Sequence, residues 1–170
     1  MLPFIAVILA AGALTSAAVD AQPASLPGVF EATCLDGQAR LSATPIDFRE
    51  LPAALQRSLG RPASSKVWQL NAEGHSYLYI LDYPQGPGLS PKICGLASDA
   101  MDLSTATKAL GARVAGGMER SGGRSAQWLN AKDGYVATAT TAAQFNVLQI
   151  SWLSADQKSE AVEQVGQLPH

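Results

Sequence analysis

Residues 68–80 read WQLNAEGHSYLYI, and residues 127–139 read QWLNAKDGYVATA. In each, an apolar stretch runs into Leu-Asn-Ala, then a glycine, then a second stretch rich in strand-forming residues. Asn at the first position of a turn and Gly near its end, between two such runs, predicts a β-hairpin. The second turn, Asn130 to Gly134, is longer than Asn71 to Gly74, so the two hairpins need not share a register. Working outward, KVWQL and SYLYILD are the strands of the first hairpin. The Pro/Gly segment YPQGPGLSP connects them to a third strand, KICGLA. SAQWL and YVATATT form the second hairpin, followed by FNVLQISWL, where Leu148, Ile150 and Trp152 share one face.

A helix is predicted before each hairpin. In IDFRELPAALQRSLGRP, Asp47 and Glu50 make a capping-box pattern and Leu51, Leu55 and Leu59 fall on one stripe. Pro52 delays the regular helix, and Gly60 and Pro62 end it. In DLSTATKALGARVAGG, Asp102 is the N-cap, Leu103, Leu110 and Val114 face inward, and Gly116-Gly117 is the stop. MERSGGR reads as a loop. GVFEATCLDGQARLSA alternates loosely and reads as an N-terminal strand, while SADQKSEAVEQV, with Ser154 and Gln157 as a capping box, reads as a terminal helix.

The predicted fold class is therefore α+β. It is mainly an antiparallel sheet of about six or seven strands, with two helices on one face and a C-terminal helix. The order of elements divides it into two pseudo-repeated helix–strand–strand–strand halves. YVATATT and NVLQISW offer one face of Tyr, Ala, Leu and Trp and another carrying Thr138, Thr140, Gln149 and Ser151, as a sheet wet on one side requires. SYLYIL is apolar on both faces, so its outer face must also be covered, for which the terminal helix is the expected cover.

Residues 1–21 have the pattern of a secretory signal: an apolar run from Leu2 to Leu14, then small residues, with Val19 and Ala21 placed for cleavage after Ala21. The run is short of the roughly 20 residues of a spanning helix, although no Lys or Arg precedes it. Residues 22–170 are then a single exported domain, secreted or periplasmic, with no membrane span after cleavage. Export puts the two cysteines, Cys34 and Cys94, in an oxidising compartment, where they are expected to pair. Two cysteines and two histidines, His75 and His170, are too few for a zinc site, so neither metal nor cofactor is expected. A net charge of −2 with 15% charged residues excludes a nucleic-acid partner, which needs a basic face.

Catalytic patterns fail on chemistry. GHSYL at Gly74–Leu78 lacks the second glycine of a nucleophile elbow and lies in a hairpin, where the elbow needs a strand-to-helix turn. GMERSGGRS lacks the lysine of a phosphate loop and follows its helix, where the motif precedes one. Arg113, Arg120 and Arg124 remain as possible contacts for an anionic partner. The acidic residues Asp47, Glu50, Asp99 and Asp102 sit at helix starts, where capping accounts for them.

The candidate binding residues are Tyr77, Tyr79 and Tyr83: the first two point the same way from one strand, and the third opens the Pro/Gly loop. Tyrosines offer contact area at low entropic cost, and the competing reading is that they are core. The sequence thus points to an exported, non-catalytic binding or interaction module. Its partner would be another exported protein or an envelope component. The alternative is a small secreted hydrolase with a site assembled from scattered polar residues.

Overall fold

The structure is a computed structural model that describes residues 25–37, 43–72, 74–84, 91–114, 117–122 and 124–166. The export signal read in residues 1–21, most of the Pro/Gly loop after Pro84, and His170 lie outside the described residues. The chain is α+β, and its strands form one antiparallel sheet of eight in the order β1-β2-β3-β4-β8-β7-β6-β5. The strands are β1 (Ala43–Ile46), β2 (Ser64–Leu70), β3 (Ser76–Asp82), β4 (Lys92–Ser98), β5 (Met118–Gly122), β6 (Ser125–Asn130), β7 (Tyr135–Ala142) and β8 (Phe145–Trp152). The helices are α1 (Leu26–Phe30), α2 (Ala53–Leu59), α3 (Leu103–Arg113) and α4 (Ala155–Gly166).

Both hairpins form. Trp68 pairs with Leu78 and Gln69 with Tyr77 across the first turn, and Trp128 pairs with Ala137 across the second. Gly74 and Gly134 close these turns at φ of 71° and 77°, a left-handed conformation that glycine adopts without a Cβ penalty. The repeated Leu-Asn-Ala phrase, however, does not mark equivalent places. Leu70 and Trp128 belong to the core on one side of the sheet, and Leu129, next to Trp128, points to the other.

The two faces carry separate cores, and the helices lie on opposite faces, not on one as the sequence reading expects. Leu78, Leu96, Leu148, Ile150, Ala137 and Trp128 pack with Ala106 and Leu110 of α3 and with Val114 at its C-cap. Tyr77, Tyr79, Leu81, Phe145 and Val147 pack with Leu51 and Leu55 at α2. The alternation of β3 explains this: Leu78 and Ile80 turn to one side and Tyr77, Tyr79 and Leu81 to the other, so an apolar strand in the sheet interior demands a cover on each face. The cover over the tyrosines is α2.

The N-terminal segment read as a strand is helical: α1 continues into a single π-helical turn, Glu31–Leu35. Leu26, Phe30 and Cys34 recur every fourth residue, a stripe that puts all three toward the α3-side core. Ser25 caps the helix by accepting from the Gly28 N–H, and Pro27 occupies a first-turn position where its missing N–H costs nothing. The segment read as a loop around Arg120 is the edge strand β5, paired with β6 from Met118–Leu129 to Gly122–Ser125. The first correction removes a strand and the second adds one; the count rises to eight because β1, Ala43–Ile46, also pairs with β2 at the edge of the sheet.

The capping expectations hold. Asp47 and Glu50 form the box around a 3-10 turn, Phe48–Glu50, and α2 starts only after Pro52. Asp102 accepts from Thr105 N–H at 2.7 Å, and Ser154 and Gln157 exchange bonds at the start of α4. Cys34 and Cys94 are disulfide-bonded with Cα atoms 5.5 Å apart, joining the π-helical turn to β4 in mid-sheet. Among the described residues no helix is long and apolar enough to cross a membrane.

Candidate functional site

The tyrosines read as binding residues have separate fates. Tyr77 is 7% exposed and meets Phe145 edge-on, with ring centroids 6.1 Å apart. Tyr79 is fully buried. Register explains its placement: Tyr79 stands opposite Gly95, which stands opposite Gln149 on β8. With no side chain at Gly95, the Tyr79 ring lies across that backbone, and its hydroxyl donates to Gln149 Oε1 at 3.3 Å. Burial, with Tyr83 nearby, raises the Tyr79 phenol far above its ordinary value, so it stays protonated.

Tyr83 is half-buried, and burial pushes its phenol up to about 12. Its hydroxyl donates to the Leu59 carbonyl at 2.5 Å, tying the end of α2 to the end of β3. Tyr83 also lines a cavity of about 410 Å³ with Leu59, Arg61, Pro84 and Ile93. Of the three tyrosines, it alone retains a surface.

A larger concavity lies on the α3 face, beside the disulfide. It has a volume of about 710 Å³ and is lined by Thr33, Trp68, Ile80, Lys92, Cys94 and Trp152. Its construction follows from the pleat. Trp68 on β2, Ile80 on β3, Cys94 and Lys92 on β4, and Trp152 on β8 all project from the same face. The two tryptophan Cα atoms are on the order of 20 Å apart across three strand spacings and four residues of rise, and Ile80 and Cys94 form the floor between them. The wall is the π-helical turn, pinned in place by Cys34. A second concavity of about 260 Å³, reaching Arg113, Asp133 and Tyr135, adjoins on the far side of Cys34, Leu35 and Trp152.

Both tryptophans are half-buried. Among the described residues their indole N–H groups have no hydrogen-bond partner. The Lys92 ammonium sits 5.6 Å from the Trp152 ring centre, a cation–π contact that orients the indole. No carboxylate among the described residues pairs with Lys92. Its register neighbour on β3, Asp82, accepts from the Ser64 hydroxyl at 2.7 Å. Asp36, at the rim, is paired with Arg113. The Thr33 hydroxyl oxygen is buried and has no partner among the described residues.

Sequence reasoning missed this groove because it treated Trp68 and Trp152 as strand markers. What could not be read was that β8 inserts next to β4 and brings Trp152 to the same concavity.

His75 and Asp99 are the nearest approach to a catalytic pair. Asp99 accepts from the His75 N–H at 2.7 Å and meets His75 Nδ1 at 2.9 Å, which fastens the first hairpin turn to the end of β4. The adjacent Ser76 is fully buried and donates to Ser98 Oγ at 2.8 Å, whereas the His75 side chain is 67% exposed. The nucleophile candidate and the base are thus on separate sides of the surface. The hydrogen bond from His75 holds the Asp99 carboxyl below its ordinary value. A depressed folded-state pKa stabilises the fold above the unfolded carboxyl value of about 3.9 and ceases to do so as pH falls through the folded value. Asp99→Asn is therefore expected to flatten the acid limb of the urea midpoint below about pH 4. Superimposable limbs for the two proteins would show that the pair is not formed.

The fold and the groove define a class: an α+β protein on a single antiparallel sheet, disulfide-braced, with an aromatic concavity on one face. No family model matches the chain, and no match to it was found among curated proteins or solved structures. The disulfide is compatible with an extracellular location.

Proposed function

We propose that this protein is an exported, non-catalytic binding module whose ligand lies in the groove between Trp68 and Trp152. The observation that carries this reading is the groove's lining. Two half-buried indoles and an ammonium without a carboxylate partner among the described residues share one open concavity. Large aromatics left half-covered in a concavity retain apolar area that a ligand can bury, and tryptophan is enriched where binding energy concentrates. A floor of laddered strands and a wall held by Cys34–Cys94 support a site formed before the ligand arrives, which lowers the ordering cost of binding. The apolar Leu2–Leu14 run and the disulfide support export. The partner is then an exported protein or an envelope component.

The hydrolase reading has weaker support, since the His75–Asp99 pair is accounted for by the turn it fastens. We also read the strands as two related units running inward from each edge to meet at β4 and β8. A two-fold axis relating antiparallel neighbours is normal to the sheet and keeps its faces. Helices on opposite faces therefore limit this relation to the strands.

The test is retention of material from the host's envelope by the immobilised, oxidised full chain. One component held in stoichiometric amount by the wild type and lost from Trp68→Ala and Trp152→Ala, both with native near-UV circular dichroism, is the expected result. Equal retention by all three proteins, or none by any, would remove the groove as the site.

A further inference from the structure

We infer that the ligand of this groove is a neutral oligosaccharide of a few rings, stacked by its C–H faces on Trp68 and Trp152. This rests on the groove being the binding site. Other ligand chemistries fit poorly. A peptide added as a strand needs an open sheet edge. Here the floor is the face of β2, β3, β4 and β8, whose backbone groups are engaged in the ladders. A polyanion needs a row of free cations. The groove offers Lys92, while Arg113 is neutralised by Asp36 and the whole chain carries −2. An acyl chain needs an enclosed apolar slot, because polar groups facing it would lose water without recompense. This concavity is open, with Asp36, Thr33 and Lys92 in its lining.

A pyranose ring has an apolar C–H face surrounded by hydroxyls that both donate and accept. It is matched by an aromatic face with donors and acceptors beside it. Two indoles line the groove, each with an N–H that lacks a partner among the described residues. Lys92 donates near Trp152, and Asp36 accepts at the rim. The indoles arise far enough apart on the sheet to hold separate rings of one chain, so an oligosaccharide gains contacts that a monosaccharide cannot make.

The experiment titrates the oxidised full chain with defined gluco-, manno-, galacto-, xylo- and chito-oligosaccharides, followed by tryptophan fluorescence and calorimetry. At least one is expected to bind and to perturb the indole emission. Affinity should fall by roughly tenfold or more in Trp68→Ala and in Trp152→Ala, the loss typical of an aromatic anchor. Trp68→Phe, which keeps a ring face, should lose less, and Tyr83→Phe should bind as the wild type does. Each variant is checked for a native near-UV spectrum, and Trp68→Phe keeps the test valid if an alanine variant unfolds. No binding of any oligosaccharide at millimolar concentration overturns the inference, as does binding indifferent to both tryptophans. If the oligosaccharides fail while the wild type, but neither alanine variant, retains a defined protein or lipid, the saccharide is wrong and the binding-module reading stands. If that retention also fails, both readings fall together.

Discussion

Replacing Cys34 and Cys94 together by serine is expected to lower the unfolding free energy by about 4 kcal/mol, the chain-entropy value for a closed loop of this length. The sequence separation of 60 makes this a long loop, so its closure removes many conformations from the unfolded chain. For a domain of this size the loss corresponds to a fall in Tm of roughly 10 °C. The urea midpoint should fall, and any change in slope would report a change in the unfolded state. The effect is also local. The bond holds the π-helical turn against β4, and through it α1, whose Phe30 is fully buried in the α3-side core. The same turn walls the groove, so reduction should weaken ligand binding at temperatures where the fold survives. A loss below about 1 kcal/mol, well under the usual range, would mean that packing of Phe30 alone keeps the segment in place.

Tyr79→Ala is expected to cost about 3–5 kcal/mol, the range for deleting a fully buried aromatic. Tyr79→Phe should cost about 1 kcal/mol, the loss of one hydrogen bond, to Gln149. The reason for the large value is the strand opposite. An added Cβ at Gly95 would fall 2.6 Å from Tyr79 Cε2, so the ring occupies the room that any other residue at 95 would fill. Gly95→Ala alone should therefore cost about 1–3 kcal/mol by overpacking. In a Tyr79→Ala background the same change should cost little or nothing. That departure from additivity, measured by urea denaturation of the four proteins, reports the contact directly. A Tyr79→Ala protein with unaltered stability and lost binding would instead restore Tyr79 as a recognition residue.

Local features were legible in the sequence because their causes are local. Asp47 with Glu50, Asp102, and Ser154 with Gln157 cap helices through bonds spanning two or three residues, so the chain carries both partners within one turn. Both hairpins follow from Asn and Gly at their turns. The cysteine pairing followed from number and compartment. The strand read into residues 28–43 failed because Leu26, Phe30 and Cys34 were not weighed as a four-residue stripe. β5 failed because Met118–Gly122 has little apolar pattern and is held as an edge strand by its ladder to β6.

The groove and the two cores were decided elsewhere. Alternation in SYLYILD shows two apolar faces, yet which helix covers which face depends on the path of the connections between elements. Trp68 and Trp152 meet one concavity only because β8 pairs with β4 in the middle of the sheet. From the residues alone came the class of fold, the hairpins, the caps and the disulfide, all set by short-range stereochemistry and by counting. Only the tertiary structure buried Tyr77 and Tyr79, put α2 and α3 on opposite faces and assembled the tryptophan groove. Those outcomes depend on contacts between strands far apart in the chain, and such pairings are chosen by the closing of the whole sheet, which an alternating apolar pattern does not record.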